Sequence, residues 1–205
     1  MDIDTAPLAW TDAYHLLVGA IVPRPIAWVS TTAADGVQNI APFSFFMGVC
    51  AKPMLLAFAP MRFFSGERKD TLANIEATGE FVVNVVTEPR LQAMDATSEE
   101  FDAEVDEFSA VGLTPAPSAI VKPPRIAESP INMECVLETA LHFGTEPGGG
   151  SLVIGRVVHV WVSDDVLNAG RIDATLLRPV ARMAGPLYSR PELLAFKRRA
   201  VPPRR

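Results

Sequence analysis

The clearest pattern in the chain is an alternation of apolar and polar positions between Ile131 and Phe143. Ile131, Met133, Cys135, Leu137, Thr139, Leu141 and Phe143 alternate with Asn132, Glu134, Glu138 and His142, the period of two that predicts a strand. Pro147 and three glycines to Gly150 form a turn signal, and Ser151 to Ser163 reads as the returning strand of a long hairpin. An earlier hairpin is predicted over residues 25 to 46. In its first strand Ile26, Trp28 and Ser30 share one face, and Ala27, Val29 and Thr31 share the other. Asp35-Gly36 supplies the turn. Pro42 lies in the second strand, which predicts a sheet edge or a bulge there, because proline cannot donate to a ladder.

Two further apolar strands are predicted, Pro53 to Pro60 and Phe81 to Val86. Helices are predicted over Asp12 to Val18, with Thr11 as cap, and after Asp70, read as the cap of a helix stopping at Gly79. Residues 88 to 107 hold eight acids and one base and read as a solvated helical stretch. Five prolines from Pro115 to Pro130 exclude regular structure and mark an excursion from the sheet. Six strands joined mostly by hairpins, with helices outside, predict an antiparallel barrel or sandwich in a single domain covering residues 1 to 205.

Composition narrows this picture. Apolar residues make up 49% and charged residues 20% of the 205, an ordinary globular composition. The formal charge of −6 argues against a nucleic-acid partner recruited by net field. It is uneven: residues 171 to 205 carry nine bases and two acids. Cys50 and Cys135 sit in apolar surroundings and read as buried thiols of a reducing compartment. The acidic start is unlike a signal or transit peptide, and the longest uncharged run, Gly36 to Ala51, is too short and too polar to span a bilayer. These features predict a cytoplasmic protein without a membrane partner.

No dinucleotide fingerprint, P-loop or nucleophile elbow occurs. His15, His142 and His159 are scattered without metal-ligand spacing. His142 is expected to face water, and His159 to be a hydrogen-bonded core residue.

Two segments remain. Arg24 to Thr32 ends in three hydroxyls, Ser30, Thr31 and Thr32, and runs into Asn39, Ala41, Pro42 and Ser44 among aromatics. Such a surface can stack a flat heterocycle and offer donors to its polar edge, although the same residues also suit turns and core. The second segment, Arg68-Lys69-Asp70-Thr71, stands at a helix start whose free N–H groups favour an anion. Lys69 would give a point charge and Thr71 a donor for a phosphomonoester; a merely solvated helix start is the alternative.

These blocks, PRPIAWVSTxxxDGxxNxAPFSFF, RKDTxxNI and EFVVNVV, with the later VDEFxxxGLTP, PPRIAESPxxxEC and PVARMAGPLYSR, resemble the flavin reductase-like, FMN-binding split-barrel family over roughly residues 14 to 190, with 191 to 205 as a tail. The resemblance implies a mainly β fold, a six-stranded antiparallel split barrel with Greek-key connections and peripheral helices. It implies a homodimer with FMN near the subunit interface. It further implies that Arg24, Ser30, Thr31, Thr32, Asn39, Ala41, Pro42 and Ser44 lie along the flavin, that Arg68, Lys69, Asp70 and Thr71 serve the phosphate, and that Arg182 and Tyr188 complete the pocket. RMAG stands where the family more often has RLGG, so Ala184 would narrow the backbone approach there.

With FMN bound, the chemistry is the cofactor's. Hydride would pass from NAD(P)H to the flavin, and reduced flavin or electrons would go to an acceptor such as a partner monooxygenase. No side-chain acid or base is required. An FMN-binding electron carrier reduced by a separate enzyme is the alternative in another class; a module without flavin is a third.

Overall fold

Period-two patterning is realised as one antiparallel sheet in the computed structural model, which describes residues 1–102 and 104–196. Its strands are β1 (Ala27–Thr32), β2 (Gln38–Phe43), β3 (Phe46–Ala51), β4 (Met54–Phe58), β5 (Glu80–Val85), β8 (Ile131–Phe143) and β9 (Gly150–Val162), in the order β2-β1-β5-β8-β9-β4-β3. Between β5 and β8 lie two short strands, β6 (Pro115–Ala116) and β7 (Arg125–Ile126), paired only with each other. The helices that matter for the site are α1 (Trp10–Ala20), α2 (Asp70–Thr78), α3 (Leu91–Ala96) and α4 (Glu107–Val111).

The sheet curls into a barrel. Phe43, on the edge strand β2, meets Phe58 of β4 near the opposite edge, with ring centroids 5.1 Å apart. The Ala59 N–H donates to the Phe45 carbonyl at 2.8 Å across the same seam. Inside lie Ala27, Val29, Phe43, Leu56, Phe58, Phe81, Val83, Cys135 and Val153, closed at one side by Leu72 and Ile75 of α2. A second core stands on the other face of β1, where Ile26, Trp28 and Ile40 pack with Met94, Phe108 and Ile126. The predicted two-faced pattern of β1 is therefore borne out, with each face buried in a different core. Each large apolar side chain so buried contributes roughly 1.5–3 kcal/mol. Gly155 is required by this packing, because a Cβ there would lie 2.2 Å from Phe81 Cζ.

Pro42 does sit on an edge strand, β2. Seven strands replace the six predicted, because the predicted second strand stops at Phe43 and an unpredicted strand, β3, follows it over Phe46–Ala51. The β1–β2 ladder ends at the Ala27–Phe43 pair, and after Ser44 and Phe45 the chain starts β3, an apolar strand whose residues are mostly exposed. With no buried face, β3 has no alternation to read. Cys50 lies on it and is exposed, against the expectation of a buried thiol; Cys135 is buried.

The predicted caps also shift. Helix α1 starts after Ala9 without a side-chain cap, not at Thr11. Helix α2 has Lys69 at the cap position and no capping side chain, so Asp70 lies in the first turn instead. Its stop is as predicted, with Gly79 left-handed at φ +74°.

The proline-rich segment is not a free excursion, since it folds back onto the polar face of β8. There Glu134, 1% exposed, accepts from the N–H groups of Ala119, Ile120 and Val121 at 2.8, 2.7 and 3.1 Å. The acidic stretch breaks into α3, a loop and the start of α4, and Glu107 within it is buried rather than solvated. From residue 197 onward the predicted tail lies outside the described residues. Among the described residues, no helix is long and apolar enough to cross a membrane.

Candidate functional site

The free edge of β2, the first turn of α2 and the loop after α3 enclose a run of adjoining hollows. The first, about 460 Å³, is lined by Asn39, Ala41, Pro42, Lys69, Asp70 and Thr71, with Phe63, Glu100, Phe101 and Glu107 around them. The second, about 570 Å³, is lined by Pro42, Ser44, Arg182 and Tyr188, together with Tyr14, Ile26, Met94 and Ser98. A third joins Pro42, Ser44 and Lys69 to Tyr14, Phe45 and Arg62. Pro42 is common to all three, so they form one trough along the sheet edge. Nine of the fourteen residues singled out in the sequence line it.

The other five stand behind it or away from it. Arg24 is buried, its guanidinium donating to the carbonyls of Val18, Ile21 and Met183 at 2.7, 2.8 and 3.0 Å and to Ser44 Oγ at 3.2 Å. It thus ties the end of α1 to the C-terminal block, whose Arg182 is bridged to it through the backbone. Ser30 projects into the second core, away from the trough. Its hydroxyl donates to the Pro124 carbonyl at 2.6 Å and accepts from Asn84 Nδ2 at 3.2 Å. Thr31 is buried under Asn39, and Thr32 Oγ1 is buried without a partner among the described residues. Arg68 is turned along α2 to pair with Glu76.

Within the trough the polar groups are ordered by one carboxylate. Glu107 Oε2 accepts from the Ile40 N–H at 2.8 Å and Oε1 from Asn39 Nδ2 at 2.7 Å. The outward N–H of the edge strand is thereby taken, and Pro42, the next residue facing that way, has none to offer. Asn39 Oδ1 in turn accepts from the hydroxyls of Thr71 at 2.8 Å and Thr31 at 3.2 Å, and Asn74 Nδ2 donates to Thr31 at 3.1 Å. Burial pushes the Glu107 carboxyl up to about 7, helped by Asp70 and opposed by its two donors and Lys69.

Lys69 Nζ stands 3.6 Å from the Phe63 ring centroid and 3.8 Å from a Glu100 oxygen. Burial lowers its affinity for the proton, and Glu100, Asp70 and Glu107 restore part of it. At the other end Arg182 lies over Tyr188, with the guanidinium carbon 4.5 Å from the ring centroid. Tyr188 donates to Asp95 at 2.6 Å, and burial with that bond pushes its phenol up to about 12. The turn between them places its positive φ at Gly185, so Ala184 carries its Cβ without strain.

Comparison with known proteins shows the family of the chain. The family profile described as "Flavin reductase like domain" matches residues 18–198. The chain belongs to the flavin reductase-like family. The flavin reductase-like chain superposes on nitrilotriacetate monooxygenase component B from Bacillus cereus with a TM-score of 0.91 at 36% identity, covering 96% of this chain and 98% of that one. The 2-nitrobenzoate 2-nitroreductase of Pseudomonas fluorescens gives a TM-score of 0.85 at 31% identity, over 99% and 97% of the two chains. A protein of Halalkalibacterium halodurans is 41% identical over 192 residues, 93% of this chain and 92% of its own. An FMN-binding protein from Thermus thermophilus shares the fold at 18% identity and a TM-score of 0.71. The mainly β split-barrel class expected of a flavin reductase-like protein is thus shown.

Sequence reasoning missed Glu107, Phe63, Tyr14 and Ser98 in the lining. For Glu107 a local signal existed: Asp106 accepts from the N–H groups of Phe108 and Ser109, and Gly112 stops the helix. An Asp cap and a Gly stop six residues apart mark a short helix. Among the described residues no cluster of His, Cys, Asp and Glu could hold a metal ion.

Proposed function

We propose that this flavin reductase-like chain binds FMN in the trough and acts as an NAD(P)H-dependent oxidoreductase. The observation that carries the reading is the placement of Lys69, at the first turn of α2, in the same hollow as Ala41 and Pro42 of the free sheet edge. The donor set fits the group: one cation and a helix start for a phosphate, the flat Pro42 surface for a ring, and Arg182 at the far end.

Bound FMN would supply two-electron hydride acceptance, and the protein's part is to hold it and exclude competing water. Lys69 neutralises phosphate charge, with Phe63 fixing its ammonium. Asn39 and Thr71 hold the first turn of α2 against β2. Arg24 acts through Ser44, keeping that hydroxyl and the Arg182 backbone in register with the strand. Arg68, Ser30, Thr31 and Thr32 shape the surrounding structure without lining the trough.

Electrons, or reduced flavin, would then pass to an acceptor; the likeness to a monooxygenase component supports a partner monooxygenase. A homodimer in a cytoplasmic setting completes the reading. Its support is the apolar face of β3 and β4, where Met47, Val49 and Met54 are exposed. Reconstitution with FMN, followed by a visible spectrum before and after NADH or NADPH, tests the proposal. Bleaching of bound flavin and pyridine-nucleotide oxidation under air are the expected result. Flavin that binds but bleaches only with an added reductase would make the protein a carrier instead.

A further inference from the structure

Asn39 is an amide whose orientation is set from one side. A charged Glu107 can only accept, so it draws the Asn39 nitrogen toward itself and leaves Oδ1 facing Thr71 and Thr31. Both hydroxyl protons are then spent on Asn39. Thr71 lines the hollow beside Lys69, yet in this arrangement its proton is not free to bind an anion there. A second arrangement satisfies the same groups with one more proton. If Glu107 Oε1 carries it, Oε1 donates to Asn39 Oδ1, the amide having turned over. Oε2 still accepts from Ile40, and Asn39 Nδ2 donates to the two hydroxyls. Thr71 then accepts from Asn39 and its own proton points elsewhere.

We propose that Glu107 is a positioning residue that couples phosphate binding to uptake of a proton, by reversing the Asn39 amide and so converting Thr71 into a donor for the anion. The inference rests on the FMN reading above. One proton moves from solvent to Glu107 and no covalent bond other than O–H is made. The surrounding charges favour the coupling. Asp70 of α2, Glu99, Glu100 and Asp102 of the loop before α4, and Asp35 of the β1–β2 turn face the same hollows as Glu107, with Lys69 the cation lining them. A phosphate dianion entering beside Glu107 adds to an already negative surrounding, and protonating the carboxyl removes one charge from it. That Glu107 already titrates near neutrality, at about 7, makes the step accessible under ordinary conditions.

The test is calorimetry of FMN and of riboflavin binding in buffers of different ionisation enthalpy at about pH 8, where Glu107 is mostly charged and the phosphate is a dianion. FMN should take up roughly 0.5–1 proton per site and riboflavin close to none. The Glu107→Gln variant, whose amide donates to Asn39 as the protonated acid would, should bind FMN with no uptake. Its affinity at about pH 8 should exceed the natural chain's by several-fold to tenfold, and above neutrality it should not weaken with pH. Equal proton counts for FMN and riboflavin in the natural chain overturn the inference without needing the variant. FMN binding without proton uptake overturns it and leaves the flavin reading standing, whereas no binding of either flavin overturns both.

Discussion

Two glutamates are buried among the described residues, and they are held in opposite ways. Glu134, on β8, accepts three backbone N–H bonds from the proline-rich segment and faces His159 at 3.1 Å. Burial alone would raise its proton affinity, but those donors outweigh burial and hold the carboxyl below its ordinary range. Glu107, 7% exposed, has two donors, and Asp70 lies close enough to repel it. Its carboxyl is held well above the ordinary range. Burial is common to both, so burial does not distinguish a structural anchor from a poised group. Donor count and the sign of the nearest charges do.

Removing Glu134's charge should have the largest effect. Glu134→Gln replaces an acceptor pair by one oxygen and an amide that meets N–H groups head-on, at a cost of about 4 kcal/mol. Denaturant unfolding at neutral pH should show that loss. Because the folded carboxyl is shifted down, the stability it contributes is present above the unfolded value of about 4.5 and disappears as pH falls through the folded one. A loss confined to neutral pH and absent in acid is therefore expected; a variant as stable as the natural chain would erase the contrast between the two glutamates.

Why the burial of neither glutamate could be anticipated follows from what period and composition report. The β8–β9 hairpin was legible because eleven of thirteen residues alternate and three glycines turn the chain. Glu134 falls on its polar face, but local pattern cannot say whether a polar face meets water or a returning segment, and five prolines argued for an excursion rather than a cover. Glu107 lies in a stretch with eight acids, whose composition reads as solvated. Only the packing of α4 on β2 buries it. The sheet edge at Pro42 and the cation at Lys69 were legible because each depends on one residue's own chemistry. Ser30 and Thr31 share a hydroxyl and a strand, yet period two sends them into different surroundings, the former away from the trough.

The Glu107→Gln variant should move stability the other way. A carboxyl raised to about 7 contributes stability below its unfolded value of about 4.5, and that contribution is lost as pH rises through 7. The natural chain should therefore weaken between those values, by on the order of 2–3 kcal/mol, and the variant should lack that slope. Melting temperatures at a series of pH values measure it. A natural chain whose stability is flat from about pH 5 to pH 8 would mean that Glu107 stays charged throughout.

Each glutamate also faces one basic side chain, and the smaller predictions separate those two. Lys69→Ala should weaken FMN about tenfold, or roughly 1.4 kcal/mol, and leave riboflavin nearly unchanged. Fluorescence titration with both flavins reads the difference, and equal losses would make Lys69 a packing residue over Phe63.

His159 should matter least of all. Its side chain is 38% exposed, and it pairs with Glu134 as an ion only when protonated. A pair open to solvent on one partner's side is screened there and is worth on the order of 1 kcal/mol, whereas the three N–H groups that hold Glu134 are fixed by the backbone and cost no side-chain ordering. His159→Ala should thus lower stability by less than ~1 kcal/mol. Denaturant unfolding of the variant beside the natural chain decides this. A loss approaching that of Glu134→Gln would show that His159, and not the turn of proline-rich chain, keeps Glu134 ionised, and the two glutamates would then differ in their cations rather than in their backbone donors.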